Sequence, residues 1–247
     1  KKKGHKNAAL RTHKAHVIDN SPNRGNNRAM KDFSFGENLG VLARAFGEAG
    51  HTLYAVGGMV RNALLGLPVS DADVCSAMRP DDVMKLCEKC GFGCAPKGAA
   101  FGTLDIVVDR GGAREKFEYA CFRSEAYARG GAHRPEKVAY SDSLEKDAFR
   151  RDFTVNALYL DILENKVVDP TGGMGDLQCK LIRATSPEPG VIMGDDALRI
   201  LRMARFAAQL GFAIDPPTLA AARAHAAGLR NISPERIWEE LVKLLLA

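Results

Sequence analysis

Hydrophobic and polar positions alternate in period along the chain. Phe35–Ala49 has apolar Leu39, Leu42, Ala43 and Phe46 at helical spacing, which predicts an amphipathic helix. Thr52–Val56 is a short apolar run, read as a buried strand, and Gly58–Leu65 is a short helix stopped by Gly66 and Pro68. Asp71–Cys75 reads as a second strand. Pro80-Asp81-Asp82 opens a helix with proline and acids in its first turn. Gly102–Val108 and Lys116–Phe122 are strands joined by Asp109-Arg110-Gly111-Gly112, a hairpin signal. Ser124–Tyr140 is polar and glycine-containing and predicts a mobile loop. Phe153–Leu160 suggests a helix or a strand, and Lys166–Val168 a strand. From about Asp195 the pattern is helical: Asp195–Leu210, Pro217–Ala227 and Ser233–Leu246. The expected plan is an α/β head over residues 32–180 followed by an α-helical segment over 181–247.

Composition narrows the class. At 46% hydrophobic and 26% charged the chain is globular. No apolar run approaches the roughly 20 residues of a membrane span, and no apolar stretch follows the opening KKKGHKN as a signal peptide requires. A soluble, cytoplasmic protein is expected. The net charge of +5 is unevenly spread: residues 1–31 carry +8 and the rest −3. The basic, apolar-poor segment 1–31 predicts a disordered tail, either gripping an RNA backbone or serving no specific role. The chain does not begin with Met and reads as a fragment. Cys87-x2-Cys90-x3-Cys94 invites a metal reading, but no second pair follows to complete four zinc ligands. The favoured reading makes Cys87 and Cys90 small apolar residues ending a helix over Asp81–Lys89.

Three segments carry chemistry. Asp71 and Asp73 are separated by one residue, so an extended strand points both carboxylates to one face, where they can share divalent metal ions. Upstream, Gly57-Gly58 and Arg61 follow a strand and start a helix, where free backbone N–H groups attract phosphate. In Arg150-Arg151-Asp152-Phe153-Thr154-Val155-Asn156, arginine suits bidentate phosphate contact, and Asp152 and Asn156 suit ribose hydroxyls. A plain helix start capped by Asp152 is the competing reading. Asp169-Pro-Thr-Gly-Gly-Met-Gly-Asp176 reads as a structural glycine turn. In the expected helix Asp195–Leu210, Asp196, Arg199, Arg202 and Arg205 form a drifting stripe on an otherwise apolar helix. Asp196 and Arg199 can pair at i,i+3, but Arg202 and Arg205 then lack acids on this helix, and a triphosphate would supply that charge.

Taken in order, GGMVRNALLGLPVSDAD, RRDFTVNAL, DPTGGMGDL and DDALRILRMARFAAQLGF resemble the motifs of the class II tRNA nucleotidyltransferase/poly(A) polymerase family. RIWEELVKLL resembles its later helical motif, and RPEKVAYSDSLEKDAFRRDFTVNAL is closer to the CCA-adding branch than to the poly(A) branch. The resemblance implies a nucleotidyltransferase head with a mixed or antiparallel sheet, then an all-α neck, with body and tail domains beyond. It implies two Mg²⁺ ions on Asp71 and Asp73, with Glu118 as a third carboxylate or base. It implies nucleotide contacts by Gly57, Gly58, Arg61, Arg151, Asp152, Asn156, Asp196, Arg199, Arg202 and Arg205. The partners implied are CTP, ATP and the tRNA 3′ end.

Cytosine and adenine both offer an exocyclic amine beside a ring nitrogen, so a carboxylate with a guanidinium, Asp196 with Arg199, suits both and mismatches guanine and uracil. Change between the two bases is expected to involve movement of 124–140, with Arg129 and Arg134. Three positions depart from the family pattern: Asn62 replaces Asp, Asp195 replaces Glu, and the basic tail has no counterpart. Poly(A) addition, partial addition of CC or A, and a non-catalytic RNA-binding module are the competing functions.

Overall fold

The computed structural model describes residues 16–17, 36–69, 72–98, 102–126 and 137–246. Asp71, Arg129 and Arg134 lie outside them, as does all of the tail except His16 and Val17.

Those two residues form β1, paired antiparallel on the sheet edge. The amphipathic run becomes α1 (Glu37–Glu48), followed by β2 (Tyr54–Val56) and α2 (Gly58–Leu65). Next come β3 (Asp73–Ser76), α3 (Pro80–Cys90), β4 (Gly93–Gly98), β5 (Thr103–Arg110) and β6 (Ala113–Cys121). Gly111 and Gly112, both at positive φ (62° and 79°), make the two-residue turn between β5 and β6.

The expected loop at 124–140 begins and ends as a hairpin of β7 (Arg123–Ala126) and β8 (Lys137–Tyr140). Its intervening residues, 127–136, lie outside the described set. Then follow α4 (Leu144–Phe149), a 3-10 turn at Thr154–Asn156, β9 (Tyr159–Asp161), β10 (Lys166–Asp169) and α5 (Gly173–Gln178). The Asp169 carboxylate accepts the N–H groups of Thr171, Gly173 and Met174, so this glycine segment is a structural turn.

Eight strands form one mixed sheet in the order β1-β10-β9-β2-β3-β6-β5-β4. Every adjacent pair is antiparallel except β3/β6, which is parallel. Leu39, Leu42 and Phe46 of α1 and Val83, Leu86 and Cys87 of α3 pack on Val74, Leu104, Ile106, Phe117 and Tyr119 of the sheet. That face is the core. Cys87 is fully buried there, with Cys90 and Cys94 packed against it. Of the opposite face, one end is covered by Tyr54, Phe122 and Tyr159, whose rings lie 6.0–6.3 Å apart, and by Ala148 of α4. The other end is open among the described residues, with Asp73, Asp105 and Glu118 half-exposed.

The remainder comprises β11 (Leu181–Ile182), α6 (Pro189–Asp195), α7 (Leu198–Leu210), β12 (Ala213–Ile214), α8 (Pro216–Ala224) and α9 (Pro234–Leu245). Two expectations are corrected here. The segment is not all helical, because β11 and β12 form a short parallel pair. The helix over Asp195–Leu210 is also broken. Asp196 is extended (φ −142°, ψ 103°), and its carboxylate accepts the Leu198 N–H at 3.0 Å. A short acidic side chain that captures a backbone donor ends one helix and starts the next. Among the described residues no helix is long and apolar enough to cross a membrane.

Candidate active site

Gly57 occupies φ 71°, ψ −133°, open to glycine alone, and ends β2 at the start of α2. A methyl group there would point toward Arg151, whose Nη1 lies 3.8 Å away. Across the sheet, β3 and β6 place Asp73 in register with Glu118, and β5 and β6 place Glu118 in register with Asp105. Neighbouring strands lie about 4.8 Å apart. Three carboxylates therefore form a row across the open face.

The Glu118 carboxylate accepts from Lys97, with Lys116 3.9 Å away. Asp105 accepts from Lys116 at 3.1 Å, while its Oδ1 is buried with no hydrogen-bond partner. This donor set, oxygen only and with an orphaned carboxylate oxygen, fits a hard divalent cation such as Mg²⁺. Among the described residues no three Asp, Glu, His or Cys side chains converge closely enough to hold a metal.

Cys75 continues the Asp73 face toward the covered end. Burial pushes its thiol up, and Arg151, Asp147 and Asp73 all act on it, so the acid row adjoins a second cluster. At its centre is Asp147 of α4, 1% exposed. It accepts from Arg150 Nη2 at 2.6 Å, Arg151 Nη2 at 2.9 Å and the Tyr159 hydroxyl at 2.7 Å. Burial alone would raise this carboxyl, but Arg151 and Arg150 hold it well below the usual range. The Nε and Nη2 groups of Arg151 are thus committed to Asp147 and Tyr159, and Nη1 is the edge beside Gly57.

The third cluster joins the sheet to α7. Phe206 has Arg61, Arg202 and Arg205 guanidiniums 5.0, 5.3 and 4.0 Å from its ring centre. Arg61 donates to Asn156 and, at 2.9 and 3.1 Å, to Asn62, whose own Nδ2 donates to the Pro68 carbonyl. Burial lowers Arg61 to about 10, against the pull of Asp152. Arg202 pairs with Asp152 at 2.7 Å, and Arg205 with Glu240 of α9 at 2.6 Å.

The expectation that Arg202 and Arg205 need a triphosphate is corrected: the acids lie on other elements, Asp152 before the 3-10 turn and Glu240 on α9. Asp152 is held down at about 2, burial being outweighed by Arg202 and by its hydrogen bond from Asn156. Asp196 and Arg199 are brought near each other in the chain but do not pair. Arg236 lies 3.5 Å from Asp196, and Arg199 donates to the carbonyls of Ile192 (3.2 Å) and Arg150 (2.9 Å).

The structure thus gathers Gly57, Gly58, Arg61, Arg151, Asp152 and Asn156 near one end of the central strands β2 and β3, with Asp73 and Glu118 beside them and Arg202 of α7 paired to Asp152. Residues 53–183, more than half the chain, match the model of the poly A polymerase head domain. The chain belongs to the poly A polymerase head-domain family. Residues 211–247 match a second model, described as the probable RNA and SrmB-binding site of polymerase A.

Among curated relatives, the CCA-adding enzyme of Limosilactobacillus fermentum is 40% identical over 199 residues, 81% of this chain and 47% of that protein. The Geobacillus thermodenitrificans CCA-adding enzyme is 38% identical over 85% of this chain and 49% of its own. The chain spans about half the length of the curated relatives it matches. The Bacillus stearothermophilus CCA-adding enzyme in complex with CTP superposes with a TM-score of 0.73 at 33% identity, covering 85% of this chain and 48% of that one. The Thermotoga maritima CCA-adding enzyme complexed with tRNA gives 0.65 at 25%, covering 83% and 45%. The head-domain fold with its mixed sheet agrees with the expected class.

Asp147, Tyr159, Asp105, Lys97, Phe206 and Glu240 were not singled out in the sequence. Asp147 had a signal, since it precedes Arg151 by four residues on a helical stretch. Asp105 had one too, because a two-residue turn at Gly111-Gly112 puts it opposite Glu118. Glu240, far along the chain, had none.

Proposed function

We propose that this chain is the head (32–180) and neck (181–247) of a CCA-adding tRNA nucleotidyltransferase, joining CMP and AMP units from CTP and ATP to the tRNA 3′ end with release of pyrophosphate. The observation that carries this reading is the in-register pair Asp73–Glu118 on the open face, adjoining Arg151 and the Gly57 turn. The curated relatives named as CCA-adding enzymes support it.

In this reading Asp71 and Asp73 hold Mg²⁺, with Glu118 as third carboxylate or base. Two such ions, when bound, stabilise charge on the attacking and leaving oxygens. The chain's own groups do the rest. The backbone N–H groups after Gly57 and Gly58 cradle the phosphates at the start of α2. Arg151, locked by Asp147, presents Nη1 to the same anion. Arg61, held by neutral amides of Asn62 and Asn156, offers a further positive charge. Asp152 and Asn156 receive the ribose within the network they already form with Arg202 and Arg61. Arg202 and Arg205 fix α7 against the head and against α9.

Asp196 accepts from the exocyclic amine of C or A and Arg199 donates to the ring nitrogen, each exchanging with its present backbone partner. An Asp196→Ala variant that still chose C and A over G and U would remove this assignment.

The deciding experiment is extension of tRNA lacking its 3′ CCA by the full-length parent protein, with single nucleotides and sized products. Three additions from CTP and ATP, with none from GTP or UTP, is the expected result. The family model is named for poly(A) polymerase, and a long A tail would establish that second reading instead. Arrest after CC, or addition of A alone, would identify a partial enzyme.

A further inference from the structure

Strands β4 and β5 do not keep a constant register. Pro96 pairs with Leu104, whereas Gly98 pairs with Thr103. Lys97 is therefore the extra residue of a β-bulge. Lys97 lies two residues beyond Ala95, which pairs with Asp105, so strand alternation carries it onto the open face. There its ammonium donates to Glu118 and lies 4.0 Å from Asp105 Oδ1.

The electrostatic setting explains why a cation belongs there. Asp73, Glu118 and Asp105 sit side by side on three adjacent strands, and like charges opposite one another oppose pairing. Lys116 answers part of this charge from within β6, 3.1 Å from Asp105 Oδ2 and 3.9 Å from Glu118 Oε1. Lys97 answers a further part, from β4. The bond to Glu118 raises its ammonium most, with the charges of Glu118, Asp105 and Asp73 adding to it against burial. It is also held loosely. Its side chain is 45% exposed and Glu118 is 39% exposed, the regime in which an ion pair contributes little. A lysine ammonium is a compact point charge on a flexible stem, unlike the planar arginines fixed around Phe206.

We propose that Lys97 is a built-in counter-cation of the acid row, holding Glu118 in the metal-free protein and leaving it when a divalent cation binds. The proposal rests on the reading of Asp73 and Glu118 as metal-binding carboxylates. Its consequence is that Lys97 competes with the metal and weakens its binding, so removing the ammonium tightens the metal site.

The test is Mn²⁺ binding to the 247-residue chain, with free Mn²⁺ read by its paramagnetic resonance signal. Four proteins are compared: the unaltered chain, Lys97→Met, Lys85→Met and Asp73→Asn. Lys85 is a charge control on the exposed side of α3, paired with Asp82 at 3.1 Å. Lys97→Met is expected to bind Mn²⁺ roughly two- to fivefold more tightly, the range of an exposed ion pair. Lys85→Met should match the unaltered chain, and Asp73→Asn should bind more weakly. If Asp73→Asn binds more weakly but Lys97→Met is no tighter than the unaltered chain, the competition proposal is wrong and the metal site stands. Equal tightening by Lys85→Met overturns it as well, since net charge would then be the cause. If Asp73→Asn binds as the unaltered chain does, the metal reading falls and the proposal falls with it.

Discussion

The acid row on the open sheet face and the arginine cluster around Phe206 are both dense in charge, yet they are built in opposite ways. In the cluster each carboxylate is buried and paired at short range: Asp152 with Arg202, and Glu240 with Arg205. Charges withdrawn from water must be matched, and the match fixes α7 to the head on one side and to α9 on the other. In the acid row the carboxylates are half-exposed, two lysines face Glu118 and Asp105, and one buried oxygen of Asp105 has no hydrogen-bond partner. Buried, saturated charge holds a shape, whereas exposed, loosely balanced charge can exchange partners with a ligand. Asp147 lies between the two kinds. It is fully saturated, and what it saturates is the arginine that faces the Gly57 turn.

The sharpest break between the regions should come from Asp73→Ala in the full-length parent protein. Nucleotide addition is expected to fall by roughly a thousandfold, the loss of several kcal/mol of charge stabilisation. The melting temperature should stay nearly unchanged, because Asp73 is half-exposed. Equal losses of activity and stability would erase the contrast between the two regions.

Asp147→Asn should behave in the reverse order. Removing the charge leaves Arg150 and Arg151 without their buried partner, a cost of roughly 3–5 kcal/mol, read from the urea midpoint.

Glu240→Gln leaves Arg205 buried without its carboxylate. About 2–3 kcal/mol of destabilisation is expected. The α7–α9 contact should loosen while the choice of C and A over G and U persists in extension assays. Lost selectivity in that variant would move base choice from Asp196 to α9.

The smallest effect is one of pH. Asp147 and Asp152 are both held below the ordinary carboxylate range. A depressed pKa contributes stability that is complete above the unfolded value, about 4, and is lost as pH falls toward the folded one. For Asp152 that window closes at about 2 and is worth roughly 2 kcal/mol. Thermal melts between pH 6 and 2 should therefore fall below pH 4, and Asp152→Asn should flatten part of the fall.

Much of this was legible along the chain. The helices α1 and α3, the strand–turn–helix of β2 and α2, and the β5–β6 hairpin follow from periodicity and from Gly, Pro and Asp at their ends. These are local effects, set by residues close together in the sequence. The arginines of α7 were visible as a stripe, but their partners were not. A triphosphate was inferred because no acid stood on the same helix, yet Glu240 lies 35 residues further along and Asp152 lies 50 residues earlier. The break at Asp196 was missed because the helical run after it was extended back over Asp195 and Asp196, whereas the Asp196 carboxylate captures the Leu198 N–H.

By itself, then, the sequence determined α1 to α3, the strands β2, β3, β5 and β6 and the family motifs, because each depends on residue type and short spacing. The tertiary structure alone decided which charges meet. The parallel pairing of β3 with β6 brings Asp73 beside Glu118, 45 positions later in the sequence. Lys97 likewise meets them only once β4 has joined the sheet beside β5. Such contacts are set by register between distant strands, and register follows from burying the whole core face at once.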